Sequence, residues 1–462
     1  MELLFHRGTL LLRARRPPAE VSELPGVLWD ERVAAWRAPA YRYAELRAAI
    51  RARGLSCRDR VRRFGTRHRP GAHRTKFRES SLRPYQSAAL LAWELAARRG
   101  VVVLPTGSGK THVAIAAAQR LNCRTLYLVP TRVLLEQWLR RLAAVSDEPP
   151  GCFGDGTYEL RPQTVATFES AWRRMDRIGN CFDLLVVDEA HHFGTGIRDE
   201  ALEMCVARAR LGLTATPPGP PAADQLGELL GPEVFRLGIT DLAGTYLAPF
   251  DPVTITVELT AKERQFYESR MLQFRRVHRA FTRQTPEASW ADFVRVAWRS
   301  EEGRRALRGL REVHSLLAWP HAKQTALASL LDRHREDRVL VFTADNGTAY
   351  DVSRRFLVTP ITCHISRPER EEALASFRAG TLRCLVSSRV LNEGIDVPAA
   401  EVGIVVGAAQ GEREHVQRVG RLLRPAPGKR ATVYELVVAR TSEVRKANLR
   451  RRGLAARSPS AL

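Results

Sequence analysis

Residues 101–111 limit what this chain can fold into more than any other stretch. They read Val-Val-Val-Leu-Pro-Thr-Gly-Ser-Gly-Lys-Thr, an apolar run that turns through two glycines and leads into a segment of good helix formers. This order predicts a strand, a tight loop and a helix. In such a loop the backbone N–H groups and the positive end of the helix face inward, so the stretch predicts a cradle for polyphosphate.

The residue types in this loop have expected roles. Gly107 and Gly109 let the backbone approach phosphate closely. Lys110 reaches the outer phosphates of the nucleotide, and the Thr111 hydroxyl ligates Mg²⁺. The strict pattern has a glycine where Leu104 stands, so a plain strand, turn and helix is the alternative interpretation. The expected cradle consists of Pro105, Thr106, Gly107, Ser108, Gly109, Lys110 and Thr111.

The composition indicates a folded protein that binds a polyanion. A length of 462 residues suggests roughly two to four domains. Hydrophobic residues make up 44% of the chain and charged residues 27%, which favours a folded chain over a disordered one. The net charge is +23 and the isoelectric point is near 10.7. A charge of this sign and size favours nucleic acid as the partner.

Cysteine spacing and hydropathy exclude two further classes. The 7 cysteines are scattered, with no Cys-x-x-Cys pair, which argues against a zinc site. No apolar run approaches the ~18 residues that a membrane helix needs. We therefore expect reduced thiols, a cytoplasmic location and no contact with membranes.

The first 80 residues are the most basic part of the chain, with 19 lysines and arginines against 8 acidic residues. Residues 3–13 predict a strand, and residues 31–53 predict a compact piece that ends in a helix. Residues 51–78 are interpreted as an arm that contacts phosphates, with a solvated linker as the alternative. The basic residues of this arm include Arg58, Arg60, Arg62, Arg63, Arg67, Arg69, Arg74, Lys76 and Arg78.

An α/β pattern follows and predicts a first core at residues 81–256. Its first helix opens around Arg83 and Gln86 and ends at Gly100, where a glycine cap belongs. Short apolar strands that alternate with helices indicate a parallel sheet covered on both faces. The predicted strands span residues 101–104, 125–129, 163–166, 183–187 and 211–215.

Two adjacent carboxylates, Asp188 and Glu189, follow the predicted strand at residues 183–187. The carboxyl ends of parallel strands meet at one edge of a sheet, so this pair is expected beside the phosphate loop. Asp188 is then suited to hold Mg²⁺ through water, and Glu189 to orient and deprotonate the attacking water. Taken by itself, an acidic pair after a strand is also a common helix cap.

The second half of the chain contains a helical insertion and a second α/β pattern. The insertion, at residues 257–320, mixes arginines with aromatic residues, which suits either a grip on a nucleic acid strand or the packing of a small helical hairpin. The second core, at residues 321–440, has no second Gly-Lys-Thr and is not expected to bind its own nucleotide. Its predicted strands span residues 339–343, 361–365, 382–388, 402–406 and 432–438. A basic tail at residues 441–462 is expected to be a solvated helix that frays.

These residues, in this order, resemble the motor of superfamily 2 helicases. Leu82 to Gln86 is similar to the adenine-reading motif of that superfamily, Pro130-Thr131-Arg132 to the strand-gripping motif, and Asp188-Glu189-Ala190-His191 to a DEAH box. The resemblance implies two tandem RecA-like domains and hydrolysis of ATP with Mg²⁺. Further motif matches are Thr214-Ala215-Thr216 (motif III), Val341-Phe342-Thr343 (motif IV), Asn392 to Asp396 (motif V) and Gln417 to Arg424 (motif VI).

The resemblance also assigns nucleotide contacts in both cores. It places Arg83 and Gln86 at the adenine base, and it places Gly394 and Asp396 of motif V at the nucleotide. Gln417, Arg421 and Arg424 are spaced i, i+4 and i+7, so they share one helical face. The two arginines are then suited to stabilise charge on the γ-phosphate in the transition state.

Within the superfamily the chain resembles the XPB group of DNA helicases in a compact prokaryotic form. This resemblance implies 3′-5′ activity on DNA in repair or remodelling and an N-terminal domain, at residues 1–80, that senses distorted duplex. It implies single-stranded or forked DNA as the partner, a nuclease as a further partner, and a monomeric protein. The Arg-Glu-Asp triplet that the group carries after motif III is absent, and Pro217 to Pro221 stands there.

Two other functions are compatible with the same residues. An RNA-directed motor of the superfamily is one, because nothing in the motor motifs distinguishes a 2′-hydroxyl. A platform that binds damaged DNA and uses its ATPase as a clamp is the other, and the missing triplet favours it. The most informative test is an ATPase assay that compares single-stranded DNA, duplex, forked DNA and RNA as activators.

Overall fold

The computed structural model describes residues 1–13, 19–62, 75–78, 81–388, 400–407 and 430–452. The chain divides into two compact units, Met1–Gly238 and Ile239–Leu462. The first unit contains a small N-terminal sheet and a large mixed sheet, and the second unit contains one further sheet. Within the described residues, no helix combines the length and the apolarity needed to cross a bilayer.

The N-terminal sheet has five strands in the order β3-β4-β2-β1-β5. Its strands are β1 (Glu2–His6), β2 (Thr9–Arg13), β3 (Leu28–Asp30), β4 (Ala35–Pro39) and β5 (Arg58–Arg60), and helix α1 (Tyr43–Ala52) covers it. The single strand predicted at residues 3–13 is therefore wrong, because the chain reverses into a hairpin. Arg7 and Gly8 both have positive φ angles, 46° and 81°, which a continuous strand does not allow.

The hydrophobic core of this N-terminal sheet includes a residue from outside the N-terminal region. Val206, which lies far along the chain, packs among N-terminal residues such as Leu3 and Leu46. A Cβ atom added to Gly8 would lie only 2.5 Å from the side chain of Met204, so the hairpin turn fits closely against that segment. The N-terminal region is thus part of the first unit and is not a loosely tethered module.

One arginine of the expected phosphate-contacting arm binds to residues of the first unit outside the N-terminal sheet. Arg62 forms an ion pair with Asp183 and donates a hydrogen bond to the carbonyl oxygen of Phe182 at 3.0 Å. Beside it, the Asn180 side chain donates to the carbonyl oxygen of Val61 at 2.8 Å. Arg62 is therefore a structural residue and not a free phosphate contact. Arg63, Arg67, Arg69 and Arg74 lie outside the described residues.

The segment that receives the N-terminal sheet is held by a buried arginine. Arg210 is fully buried and donates to the carbonyl oxygens of Leu202 at 3.1 Å and Ala207 at 3.1 Å, and also to those of Cys205 and Leu229. Burial lowers the pKa of Arg210 to about 10. The carbonyl dipoles stabilise the charge and keep the segment in place.

The large sheet has eight strands in the order β13-β6-β12-β11-β7-β10-β8-β9. These are β6 (Arg99–Val103), β7 (Thr125–Val129), β8 (Gly151–Gly154), β9 (Thr157–Tyr158), β10 (Gln163–Thr167), β11 (Leu184–Asp188), β12 (Ala209–Thr214) and β13 (Glu233–Arg236). Its helices are α2 (Pro84–Leu95), α3 (Lys110–Leu121), α4 (Arg132–Val145), α5 (Phe168–Ile178), α6 (Glu200–Glu203) and α7 (Ala222–Leu230). The pairs along β13-β6-β12-β11-β7-β10-β8 are parallel.

The buried strands of this sheet match the predicted ones to within about two residues. Strands β7, β10, β11 and β12 are buried at every position, as expected for a parallel sheet with helices on both faces. The predicted α/β class is confirmed. Strand β13 and the β8-β9 hairpin were not predicted.

The second unit contains a six-stranded sheet in the order β14-β19-β18-β15-β17-β16. Its strands are β14 (Phe250–Val257), β15 (Val339–Phe342), β16 (Thr359–Ile361), β17 (Cys384–Ser387), β18 (Val402–Val405) and β19 (Ala431–Val438). Its helices are α8 (Ile239–Leu242), α9 (Ala261–Gln284), α10 (Trp290–Ala297), α11 (Glu301–Ala318), α12 (His321–Arg333), α13 (Asn346–Phe356), α14 (Arg367–Ala379) and α15 (Ser442–Arg452). The strand pairs of this sheet are parallel throughout.

Strand β14 corrects the expected boundary of the first core at residue 256. It pairs in parallel with β19 over its full length, from Phe250 opposite Ala431 to Val257 opposite Val438. These residues therefore form an edge of the second sheet. The strand predicted at residues 361–365 lies earlier, at Thr359–Ile361, where it pairs with β17.

The insertion is helical, as expected, and most of its aromatic residues pack. Phe274, Phe281 and Phe293 form a cluster, with Phe293 2% exposed. Trp290 and Trp298 remain about half exposed, and the Arg311 guanidinium lies 5.7 Å from the Trp298 ring centre. Packing of a helical hairpin is thus confirmed for these three phenylalanines, while Phe266, Trp290 and Trp298 remain accessible.

The C-terminal helix α15 is not the solvated helix that the sequence suggested. Arg450 is 5% exposed and donates to the Glu435 carboxylate on β19 at 2.7 Å. Glu443, at the start of the helix, accepts a hydrogen bond from the fully buried Lys323 at 2.9 Å. These two ion pairs attach the helix to the second sheet.

Candidate nucleotide-binding site

Three neighbouring strands of the large sheet place the predicted motifs at one edge. Strand β12 pairs in parallel with β6 on one side and with β11 on the other. Adjacent strands lie ~4.8 Å apart, so the loops after β6 and β11 begin about 10 Å from each other. The phosphate loop, motif III and the DEAH box therefore meet at the carboxyl edge of this sheet.

The loop after β6 has the geometry of a cradle. Gly107 and Gly109 have φ angles of 84° and 80°, which favour glycine, and Gly109 stands just before the first residue of α3. The Ser108 hydroxyl donates to the carbonyl oxygen of Pro105 at 2.7 Å and closes the loop. Lys110 is buried, and its ammonium group donates to the carbonyl oxygens of Leu104 at 3.1 Å and Pro105 at 3.4 Å.

Gln86 ties the start of α2 to this loop. Its side-chain nitrogen donates to the carbonyl oxygen of Ser108 at 2.9 Å, and its side-chain oxygen accepts from the backbone N–H of Arg83 at 2.9 Å. The Tyr85 hydroxyl donates to the same Ser108 carbonyl. A Cβ atom on Gly109 would lie 2.6 Å from the Gln86 nitrogen, so the close approach requires glycine there.

The acidic pair is held by its neighbours at the end of β11. One oxygen of Asp188 accepts from the indole N–H of Trp138 at 2.8 Å, and the other accepts from the backbone N–H of Glu189 at 3.0 Å. Glu189 has a φ angle of 52°, and one of its oxygens lies 3.4 Å from Nδ1 of His191. The left-handed backbone of Glu189 costs free energy in a residue other than glycine, and such strain is typical of functional sites.

His191 joins the DEAH box to motif III. Its Nδ1 lies 3.1 Å from the Thr214 hydroxyl, and the imidazole is buried. The Thr214 hydroxyl in turn accepts from the backbone N–H of Thr216 at 3.1 Å. His191 therefore contacts both the acidic pair and the end of β12.

Two residues of helix α4 reach the site although the sequence analysis did not select them. Trp138 contacts Asp188, and the Arg141 guanidinium donates to the Thr111 hydroxyl at 2.6 Å. They stand three positions apart, so they lie on one helical face. The sequence signal that could have identified them is this spacing on the helix that follows the Pro-Thr-Arg motif.

The electrostatic surroundings of the loop are positive. The pKa of His112 is lowered, first by burial and then by the nearby charges of Arg141 and Arg83. Burial also lowers the pKa of Arg141, against the attraction of the Asp188 carboxylate. Together with Lys110 and the N-terminus of α3, these groups favour a polyanion such as a triphosphate.

The residues present fit a magnesium nucleotide. Among the described residues, the hydroxyls of Thr106 and Thr216 are buried and have no hydrogen-bond partner. Both belong to motifs at this edge, and each offers a hydrogen bond to a phosphate or to water. Oxygen donors such as Thr111 and Asp188 are the ligands that Mg²⁺ prefers. In the described part of the chain, no group of three His, Cys, Asp or Glu side chains forms a metal site by itself.

The structure thus brings together the predicted site residues of the first core. These are Arg83, Gln86, Pro105, Thr106, Gly107, Ser108, Gly109, Lys110, Thr111, Asp188 and Glu189. The predicted residues of motifs V and VI lie outside the described residues. These are Gly394, Asp396, Gln417, Arg421 and Arg424.

Three family models match consecutive parts of the chain. Residues 3–61 match the Xeroderma pigmentosum group B helicase damage recognition domain. Residues 79–219 match the type III restriction enzyme res subunit, and residues 322–426 match the helicase conserved C-terminal domain. The matched order agrees with the order of motifs read from the sequence.

Curated relatives and solved structures agree with these matches. The chain is 34% identical to the DNA 3′-5′ translocase XPB2 of Sulfurisphaera tokodaii, over 92% of this chain and 96% of that protein. It is 30% identical to the DNA 3′-5′ helicase XPB of Mycobacterium tuberculosis, over 78% of this chain and 61% of that protein. The crystal structure of the Pyrococcus furiosus Hef helicase domain shares the fold, with a TM-score of 0.54 at 17% identity over 80% of this chain and 98% of that one.

The geometry of the site and the extent of these matches agree. The phosphate loop, the DEAH box and motif III converge at one sheet edge, and one relative matches the chain over nearly its whole length. The chain belongs to the XPB family of superfamily 2 DNA helicases and translocases.

Proposed function

We propose that this protein is an ATP-dependent DNA translocase or helicase that moves 3′ to 5′ and acts in DNA repair or remodelling. The observation that carries the proposal is the convergence of Lys110 and the acidic pair at one sheet edge, in a chain that matches a DNA 3′-5′ translocase over 96% of that protein. The N-terminal match to a damage recognition domain supports the repair role.

The proposed chemistry is hydrolysis of ATP at the cradle. Lys110 and the loop N–H groups bind the β- and γ-phosphates, and Thr111 and Asp188 hold Mg²⁺, which neutralises phosphate charge. Glu189 orients the attacking water and accepts its proton. His191 and Thr214 relay the state of the acidic pair to motif III.

The family resemblance adds further residues to the proposed nucleotide site. On that resemblance, Arg83 and Gln86 read the adenine base, and Gly394 and Asp396 of motif V contact the nucleotide. Gln417, Arg421 and Arg424 of motif VI are assigned on the same ground to the γ-phosphate. Arginine suits this role because its guanidinium is a planar, permanently charged fork. We expect Arg421→Ala to lower the turnover rate much more than the affinity for ATP.

The proposed DNA contacts are distributed over the chain. The net charge of +23 supports a polyanionic partner. The exposed Trp290 and Trp298 suit base stacking beside the arginines of the insertion. A monomeric state, a nuclease partner and a cytoplasmic location belong to the same proposal.

A second function is favoured by one feature of the sequence. Residues 217–221, directly after motif III, are Pro-Pro-Gly-Pro-Pro where the XPB group carries Arg-Glu-Asp. A chain that lacks this triplet is suited to act as a clamp on damaged DNA, with ATP hydrolysis as its switch and without strand separation.

The test is the rate of ATP hydrolysis with single-stranded DNA, plain duplex, forked duplex and RNA as activators, together with strand separation on the fork. A translocase is stimulated by DNA and displaces a protein block from a duplex. Stimulation without displacement or strand separation identifies the clamp, and stimulation by RNA alone contradicts the DNA assignment.

The acidic pair provides the matched variant for this assay. Glu189→Gln keeps the shape of the side chain and removes the base, so turnover should fall ~10²- to 10⁴-fold while ATP still binds. Glu203→Gln, a change of the same kind on α6, should leave turnover near that of the parent. A Glu189→Gln variant that hydrolyses ATP at the parent rate would show that this residue is not the base.

A further inference from the structure

Helix α4 lies beside both proposed magnesium ligands. The Trp138 indole donates to Oδ2 of Asp188 at 2.8 Å, and the Arg141 guanidinium donates to Oγ1 of Thr111 at 2.6 Å. One face of one helix therefore holds two side chains from different elements, one at the start of α3 and one at the end of β11. Neither Trp138 nor Arg141 belongs to the motifs that define the family resemblance.

The two contacts differ in charge. The indole is a neutral donor, and together with the backbone N–H of Glu189 it fixes the direction of the Asp188 carboxylate. Trp138 is buried and stacks near the Tyr127 ring, with ring centres 5.0 Å apart, so its own position is fixed. A neutral donor of this kind orients a metal ligand without repelling the metal.

Arg141 is a different kind of neighbour. Its guanidinium is permanently charged and uses a lone pair of the same hydroxyl oxygen that would ligate Mg²⁺. Although the surrounding protein partly desolvates its guanidinium, Arg141 as a whole residue is exposed to solvent, so it can move without breaking the core. A positive charge at this distance opposes a divalent cation at Thr111 and favours a bare phosphate oxygen.

We propose that these two residues set the affinity of the site for Mg²⁺ in opposite directions, with Trp138 positioning Asp188 for the metal and Arg141 competing with the metal at Thr111. The inference rests on the proposed function, because it takes Thr111 and Asp188 as the magnesium ligands. It assigns no chemical step to either residue, so both are positioning residues.

The test is binding of a fluorescent ADP analogue at increasing Mg²⁺ concentration, with no turnover involved. Arg141→Gln should lower the Mg²⁺ concentration for half-maximal binding by about tenfold, because a unit positive charge would no longer lie beside the proposed ligand of a divalent ion in a high-dielectric setting. Trp138→Phe should raise that concentration by about 10- to 100-fold, as loss of a residue that orients a metal ligand does.

Two matched variants separate position from charge. Arg141→Lys keeps the charge and should bind with a Mg²⁺ requirement near that of the parent. Arg140→Gln removes a charge one residue away, where the side chain is exposed and contacts the carbonyl of Glu136, and should also leave the requirement unchanged.

The outcomes are distinguishable. If Arg141→Gln needs more Mg²⁺ than the parent, Arg141 supports the metal and the inference is wrong. If neither Arg141→Gln nor Trp138→Phe shifts the titration while their melting temperatures stay at the parent value, the contacts are packing only. If the parent itself binds the analogue without any dependence on Mg²⁺, the proposed magnesium site is wrong, and this inference has no site to act on.

Discussion

The two units each contain a buried parallel strand that leads into a helix, but the two helix N-termini are built in opposite ways. Strand β6 leads to α3 through Gly109, whose left-handed backbone leaves the N–H groups of the loop facing a cradle. Strand β15 leads to α13 through Asp345, whose carboxylate accepts from the backbone N–H of Thr348 at 2.8 Å and from its hydroxyl at 3.1 Å. The second helix supplies its own anion.

The buried lysines of the two units differ in the same way. Lys110 contacts only carbonyl oxygens among the described residues, at 3.1 Å and 3.4 Å. Lys323, which is fully buried in the second unit, pairs with the Glu443 carboxylate at 2.9 Å. In one unit the cation is available to a ligand, and in the other it is neutralised by the protein.

A buried parallel strand that leads into a helix therefore does not by itself make a nucleotide site. A helix N-terminus attracts an anion through its free N–H groups and its dipole. The chain keeps that attraction for a ligand in the first unit and satisfies it with Asp345 in the second. Three sets of variants test this contrast between the two units.

The largest difference in stability is expected between variants of the two buried lysines, Lys323 and Lys110. Lys323→Met should lower the free energy of unfolding by about 3 kcal/mol, because it leaves the Glu443 carboxylate, whose side chain is only 16% exposed, without its cation. Lys110→Met leaves no carboxylate behind, so its unfolding midpoint should stay near that of the parent while nucleotide binding is lost. Thermal unfolding and binding of a fluorescent nucleotide measure the two effects. Equal destabilisation by both changes would end the distinction between a ligand-facing and a structural lysine.

The second largest effect, a loss of nucleotide affinity, is expected from a change of the glycine before α3. Gly109→Ala should weaken nucleotide binding by about 10- to 100-fold, because a non-glycine residue with this backbone costs of order 1–3 kcal/mol. The added carbon would also lie 2.6 Å from the Gln86 side chain.

Gly156→Ala is the matched control for this change. Gly156 has a φ angle of 83°, close to that of Gly109, but no atom lies within 4 Å of an added Cβ. It stands in the turn between β8 and β9, so the same strain should leave nucleotide affinity unchanged. A similar loss of affinity in both variants would mean that general strain, and not the cradle, is responsible.

The smallest effect, a loss of stability, is expected from removing the N-cap of α13. Asp345→Ala should cost about 1 kcal/mol of stability through the lost N-cap, and Asp345→Asn, which keeps an acceptor, should cost less. Neither variant should change nucleotide affinity or the number of nucleotides bound per chain. A second bound nucleotide in Asp345→Ala, detected by equilibrium titration, would show that the cap alone prevents a second site.

The strands were predictable where burial made them continuously apolar. Residues 125–129 and 184–188 are buried at every position, and a short apolar run between helical patterns identifies such strands. Strand β14 was assigned to the wrong core because only its pairing with β19 shows where it belongs, and that pairing joins residues far apart in sequence. The attachment of α15 likewise depends on a contact, between Arg450 and Glu435, that the local sequence pattern does not show.

The site was predictable where one local segment carries the chemistry. The loop from Pro105 to Thr111 and the acidic pair each follow a single strand, so their residue types and spacing were sufficient. Arg141 and the contact of His191 with Thr214 depend on side chains that different elements bring together. Gln86 was expected at the base edge, and the structure adds a contact with the Ser108 carbonyl that no motif specifies.

The packing of Val206 among the N-terminal residues affects how the chain folds during synthesis. On a growing chain, the part of the core around Leu3 and Leu46 that Val206 covers stays open to water until Val206 has left the ribosome. Contacts between residues so far apart in sequence form slowly, and apolar surface that waits for its partner is prone to aggregate or to bind chaperones. The core of the N-terminal sheet is therefore completed only after most of the large sheet has been translated.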